Sequence, residues 1–273
     1  MRYIPDHDLH IHTHLSPCSG DPEQTTARIL QYGVEHGLKH LCVTDHFWDE
    51  TVPGGFGWAG LSHIGQNLPL PQAEGITFHF GGEADMNLAA TVGLSKKTAE
   101  RLDFIAVPTT HMHIIGFPKA STLEEEMSNR REAYISRWRA LLDSDLPFHK
   151  MGLAHITWSG FASFPGAVWD THMAILDTIP DETFKELFAE TEKRGMGVEL
   201  NVSLEQYSEE DLPRILRVYR VAVECGCHFY FGSDAHHPAE LDAGYARFDR
   251  LIDLLHLDEE QKFRPYLSFE KEK

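Results

Sequence analysis

Eighteen histidines stand among the 273 residues of this chain, and their placement says more than their number. His10 and His12 flank a single apolar residue, Asp45 adjoins His46, and Glu83 follows two glycines. His111 and His113 form a second His-x-His, His155 closes an apolar run, and Asp234 and His236 make an Asp-x-His. Imidazole and carboxylate donors mixed in this way suit Zn²⁺, Mn²⁺ or Fe²⁺. Each element alone has an ordinary explanation: a His-x-His on a strand is commonly incidental, His111 and His155 could be satisfied core or rim histidines, and Glu83 a turn acid. Only a shared location would make them a site.

The elements that must supply that location are legible as alternating patterns. Short apolar runs rich in β-branched and aromatic residues, at 8–13, 41–45, 76–82, 104–109, 151–155, 197–201 and 228–232, read as seven strands. Helical periodicity fills 23–36, 96–102, 123–143, 181–193, 209–223 and 239–256. Pro180-Asp181 and Ser208-Glu209-Glu210-Asp211 place acids at helix starts, and Gly195 and Gly226 fit helix ends. The order is βα throughout, the pattern of a parallel sheet or barrel. Nearly every strand then ends C-terminally in one of the candidate ligands. Because side chains alternate along a strand, His10 and His12 share one face, as do Asp234 and His236. In a parallel barrel those faces converge at the C-terminal mouth. The long segment 47–75 reads as an irregular loop of the kind that covers a site.

Composition narrows the class. A hydrophobic content of 42% supports a sizeable core, and the absence of a linker or repeat favours one domain over 1–273. With 42 acidic against 24 basic residues and a net charge of -18, a field that gathers nucleic acid is not expected. No apolar run is long enough for a membrane span and the N-terminus lacks a signal pattern, so a cytoplasmic protein is expected. Four scattered cysteines do not make a disulfide framework, and Cys225-Gly226-Cys227 reads as ordinary packing.

Asp8-Leu9-His10-Ile11-His12-Thr13, Val43-Thr44-Asp45-His46, Glu83, His111, His155, Glu199-Leu200-Asn201 and Gly232-Ser233-Asp234-Ala235-His236 resemble, in order along nearly the whole chain, the polymerase and histidinol phosphatase (PHP) superfamily. That resemblance implies an α/β fold, a distorted (β/α)7 TIM-like barrel, with its site at the C-terminal strand ends. It implies two or three divalent ions: one held by His10, His12, Glu83 and Asp234, a second sharing Glu83 and adding His111 and His155, a third taking His46 and His236. Where the family often has a further His or Asp after the first motif, this chain has Ser16-Pro17-Cys18-Ser19-Gly20-Asp21, so Cys18 or Asp21 is the candidate to complete the third position. His113 is a second choice beside His111.

The expected reaction is hydrolysis of a small phosphate ester, a phosphomonoester before a phosphodiester, by hydroxide bridging the ions at Glu83. Asp234, His236 or His14 would assist the leaving oxygen. Asp45 and Asn201 would orient ligands. Lys119, Lys150, Arg130 and Arg131 are candidates to hold the phosphate, although Arg130 and Arg131 sit in a Glu-rich helix whose face reads as solvated. Trp158, with Phe56 and Trp58 of the long loop, could stack on a ring. Two other readings stand beside this one. An amidohydrolase acting on amides or lactones also opens with His-x-His, but its usual bridging lysine has no counterpart here. A metal-binding module without turnover would lack ligands, and most positions are filled. Oligomeric state is not readable.

Overall fold

Among the described residues nine short strands, all paired in parallel, alternate with helices along the chain. The computed structural model describes residues 1–55, 57, 59–118, 120–158 and 168–265. The strands are β1 (His7–Ile11), β2 (His40–Val43), β3 (His46–Phe47), β4 (Thr77–Phe80), β5 (Gly82–Ala84), β6 (Ile105–Pro108), β7 (Met151–Ala154), β8 (Gly197–Leu200) and β9 (Phe229–Phe231). The helices are α1 (Thr26–Glu35), α2 (Leu61–Ile64), α3 (Lys96–Ala99), α4 (Leu123–Leu142), α5 (Val168–Asp177), α6 (Asp181–Lys193), α7 (Leu212–Ile215), α8 (Arg217–Glu224) and α9 (Pro238–Leu255).

All seven expected strands are present, but two are broken. The second divides into β2 and β3 around Thr44-Asp45, and the third into β4 and β5 at Gly81. The result is two parallel sheets, β1-β2-β4 and β3-β5-β6-β7-β8-β9, in place of one closed ladder. Gly81 is required at its break, because a Cβ there would run into the Phe104 carbonyl at 2.5 Å and Cys42 Sγ at 2.6 Å. Between β1 and β9 the described residues form an isolated parallel bridge, Ile11 to Ala235, with Asp234 N donating to the His10 carbonyl at 2.8 Å. The fold is therefore α/β with parallel sheets.

Register within β1 bears directly on the site. Its pairing with β2 slips between Asp8 and Ile11. Leu9 packs inward with Cys42, Ala106, Ala154 and Tyr230, whereas Ile11 joins Ile29 and Tyr32 of α1 and Leu241 of α9. An irregularity of this kind re-aims side chains without ending the strand. It leaves His10 and His12 facing the mouth.

The helix ends follow local chemistry. Thr25, Ser95 and Thr122 cap α1, α3 and α4, each accepting from a backbone N–H three residues on. Asp181 and Glu182 occupy the first turn of α6, and Gly195 and Gly226 take positive φ after α6 and α8. The helix expected over 209–223 differs: Ser208 bonds Asp211 in a turn, so the acids precede α7, and a second helix, α8, follows it. Helix α5 was not foreseen, since its Val, Trp, Thr and Ile are weak helix formers; its Met173 and Leu176 are buried by packing. Segment 47–75 contains α2 and contacts the mouth through Asn67, which donates to Asp45 at 2.7 Å, and His63, 3.0 Å from the Leu15 carbonyl. All four cysteines are free.

Candidate metal centre

Strand β5 is buried along its whole length, yet it carries Glu83, whose two carboxylate oxygens are buried without a hydrogen-bond donor. An ionised carboxylate so placed is costly unless a cation lies beside it. Five imidazoles and a second carboxylate surround it. His46 Nδ1 lies 2.9 Å from Glu83, His155 Nε2 3.3 Å, His12 Nε2 3.4 Å, His10 Nε2 3.6 Å and His111 Nε2 3.9 Å. Asp234 Oδ1 approaches His12 at 3.1 Å and His10 at 3.7 Å, and its other oxygen is 3.8 Å from His155. His236 stacks on His12 with ring centroids 4.2 Å apart. Eight residues from six strand ends thus share one cavity of about 280 Å³ or its floor.

Of five donor groups in this cluster with the spacing to hold an ion, two rest on Glu199 or Asp85; the other three sets are His10, His12 and Asp234; Glu83, His111 and His155; and His12, Cys18, His46 and His236. The far side of five of the six rings is engaged. His10 Nδ1 donates to Glu199 at 2.5 Å, and His46 and His111 each donate from Nδ1 to Asp85 at 2.8 Å. Ser16 gives its hydroxyl proton to Asp45, so it must accept from His12 Nδ1 at 2.7 Å. His236 Nδ1 donates to the Asp234 carbonyl at 2.8 Å. Such outer bonds fix the tautomer and turn Nε2 toward the cavity.

The backbone is bent to the same end. His155 and Asp234 adopt positive φ, 57° and 55°, a conformation that side chains with a Cβ rarely take. Both are held there, His155 by its N–H to Glu199 at 2.9 Å and Asp234 by its N–H to His10. Strain of this kind persists where its surroundings over-determine it.

Electrostatics agree with the donor chemistry. Burial works against charge on every group here, but mutual attraction prevails. Glu199 and Glu83 hold the His10 imidazole well above its ordinary pKa, and Glu83 and Asp85 do the same for His46. His46, His10 and His111 keep Glu83 well below the carboxylate range, while His155 and His236 act likewise on Asp234. The carboxylate field that retains protons on these rings is one that attracts cations.

Not every expected residue is here. Lys150 stands just before β7, at the opposite end of the strand from His155, and is buried donating to the carbonyls of Ala99 at 2.5 Å and Leu102 at 2.8 Å; it cannot hold a phosphate at the mouth. Arg130 is buried rather than solvated, bonded to Glu126 at 2.9 Å and lying over Phe117, because α4 packs that face inward. Asp21 is turned away, receiving the Glu23 N–H at 2.9 Å and facing His237 at 3.2 Å, so it lies outside the three donor sets while Cys18 lies inside one. His14 is exposed beside the Gln24 carbonyl. His113 lines the cavity without joining a donor set. Trp158 also lines it, T-shaped to His113 and tilted against His172. Lys119, Phe56 and Trp58 lie outside the described residues. Asp45 supports the loop after β1 through Thr13, Ser16 and Asn67 rather than orienting a ring directly. Asn201 forms part of the cavity wall.

Two residues had no assigned role. Asp85 and Glu199 orient the rings of His46, His111 and His10. Their signal was present: Asp85 repeats Glu83 at strand spacing, and Glu199 is an acid inside a fully buried strand, where a partner is obligatory.

A parallel α/β scaffold whose strand ends gather imidazoles around a buried, donorless carboxylate is a scaffold suited to binding divalent ions. Among solved structures the chain is similar to histidinol phosphate phosphatase from Lactococcus lactis subsp. lactis, solved with zinc, L-histidinol and phosphate, at 18% identity over 95% of this chain and 99% of that one, with a TM-score of 0.62. At this identity the likeness concerns the fold. A protein described as amidohydrolase II matches at 14% identity over 94% of this chain and 95% of its own, with a TM-score of 0.39. No family model and no curated protein matches the chain. No helix among the described residues is long and apolar enough to cross a membrane.

Proposed function

We propose that this chain is a metal-dependent phosphoesterase of the PHP superfamily, built on a (β/α)7-type barrel and acting on a small phosphomonoester. The observation that carries this reading is Glu83: a buried carboxylate without a hydrogen-bond donor, ringed by His10, His12, His46, His111 and His155 and faced by Asp234. Its Oε1 lies nearest His155 and His111 and its Oε2 nearest His46, His12 and His10, so one carboxylate stands between both groups of imidazoles. Divalent ions in such a centre acidify water and neutralise phosphoryl charge.

The remaining work falls to the chain itself. The described cavity wall carries no lysine or arginine, so bound divalent ions would have to meet the charge of a phosphate. Trp158 and Tyr207 form the apolar side on which the organic part would rest. A volume of about 280 Å³ suits a small ester rather than a polymer.

The test is hydrolysis of a phosphoester panel, run beside amides and lactones, with chelated protein reloaded with Zn²⁺ or Mn²⁺. Metal-restored release of phosphate from monoesters is the expected result. Turnover of amides or lactones alone would replace this reading with an amidohydrolase one, and metal binding without turnover of any substrate would leave a binding module.

A further inference from the structure

The solvent side of the centre has a donor set unlike the others. His12, Cys18, His46 and His236 each offer one ligand atom, all within 4.8 Å of one another. Cys18 Sγ stands 2.9 Å from His236 Nε2. The three rings already have their far nitrogens engaged, by Ser16, Asp85 and the Asp234 carbonyl, which leaves Nε2 as the ligating atom in each. This set contains no carboxylate. Its one anionic ligand would be sulfur, while the other two sets contain Asp234 or Glu83.

Two neighbouring acids are diverted from it. Asp21 is occupied with His237 and the Glu23 N–H. Asp85 takes protons from His46 and His111 on the far side of those rings. Cys18 is also the exposed one of the four free cysteines, placed on the loop after β1 where it meets the histidine delivered by the segment after β9.

We propose that Cys18 is a metal ligand, and that with His46 and His236 it forms a zinc-selective thiolate position, the single free nitrogen of His12 going to the neighbouring carboxylate-containing set with His10 and Asp234, which accepts a wider range of ions. This rests on the metal-dependent reading above and assigns the ligand that reading leaves open. Thiolate is a soft donor that favours zinc, whereas manganese and magnesium favour oxygen. Cysteine binds as the thiolate, so occupation releases its proton to solvent and leaves the sulfur unavailable to electrophiles.

Chelated protein reloaded with Co²⁺ reads the ligand directly, since cobalt bonded to sulfur gives a near-ultraviolet charge-transfer band that imidazole and carboxylate ligation do not. The band is expected in the native chain and its loss in Cys18→Ser, with one zinc fewer per chain by elemental analysis and manganese content unchanged. Alkylation of native Cys18 by iodoacetamide, followed by mass spectrometry, needs no variant: zinc is expected to block it and manganese to leave it unchanged. A cobalt-loaded protein without the band, in which zinc does not slow alkylation, overturns the thiolate position while the centre at Glu83 stands. Protein that takes up no cobalt or zinc at all overturns both readings.

Discussion

Glu199 Oε1 and His10 Nδ1 meet at 2.5 Å between strands β8 and β1, and both side chains are fully buried. The other oxygen of Glu199 receives the backbone N–H of His155 at 2.9 Å. One carboxylate therefore sets the tautomer of a ligand on one donor set and the backbone of a ligand on another. In Glu199→Gln the charge is gone while the shape is kept, and zinc affinity should fall about 10- to 100-fold. Competition against a chelator of known affinity measures this; unchanged affinity would remove Glu199 from the centre.

Room for that carboxylate comes from Gly232. A Cβ at this position would press on Glu199 Oε1 and lie 2.6 Å from His10 Cβ. Gly232→Ala should therefore displace the Glu199–His10 pair, lowering metal content and destabilising the protein by about 1–3 kcal/mol as overpacking. Elemental analysis and urea unfolding report the two effects separately.

Arg137 of α4 holds the segments that carry Asp85 and His111. Its buried guanidinium donates to the carbonyls of Thr109 at 2.6 Å, Asn87 at 2.7 Å and Met86 at 3.1 Å. Arg137→Met leaves the buried Thr109 and Met86 carbonyls unmatched, while Asn87 keeps the Ala90 N–H, and should cost about 3 kcal/mol of stability. Urea denaturation of the chelated protein checks it, so that metal loss does not contribute.

Chelation should itself lower thermal stability, because ions held by the folded cluster are released on unfolding. At zinc 100-fold above its dissociation constant the linkage is worth about 2.7 kcal/mol. The melting temperature should rise with added zinc in the native chain and hardly move in Glu83→Ala.

A pH effect is expected far from the centre. His40 of β2 sits 3.2 Å from His79 of β4, and burial followed by that neighbour lowers its pKa to about 4. The unfolded value is about 6.5, so the fold binds fewer protons between these limits. Stability tied to His40 is thus complete above about pH 6.5 and lost as pH falls toward 4. His40→Gln should lose less stability than the native chain between pH 7 and about 4.5, read from urea midpoints at each pH.

The residues along each strand were legible because their information is local. Alternation at a period of two put His10 with His12 and Asp234 with His236, and the acids after Pro180 located the start of α6. The same locality explains the failures. Nothing in an apolar run announces that Gly81 breaks it, or that β1 slips register between Asp8 and Ile11. Lys150 looked available because it precedes a ligand-bearing strand, yet the four residues of β7 separate it from His155 and place it at the other end of the sheet.

The sequence by itself determined which side chains arrive at strand ends, since backbone periodicity and turn preference act over a few residues. Only the tertiary structure decided what each meets there. His10 finds Glu199 at a separation of 189 residues, His46 finds Asp85 at 39, and His236 finds Cys18 rather than Asp21 at 218. Those pairings depend on strand order, register and helix packing, so short-range spacing carries no trace of them; they exist once the fold brings β1, β5, β8 and the segment after β9 to one mouth.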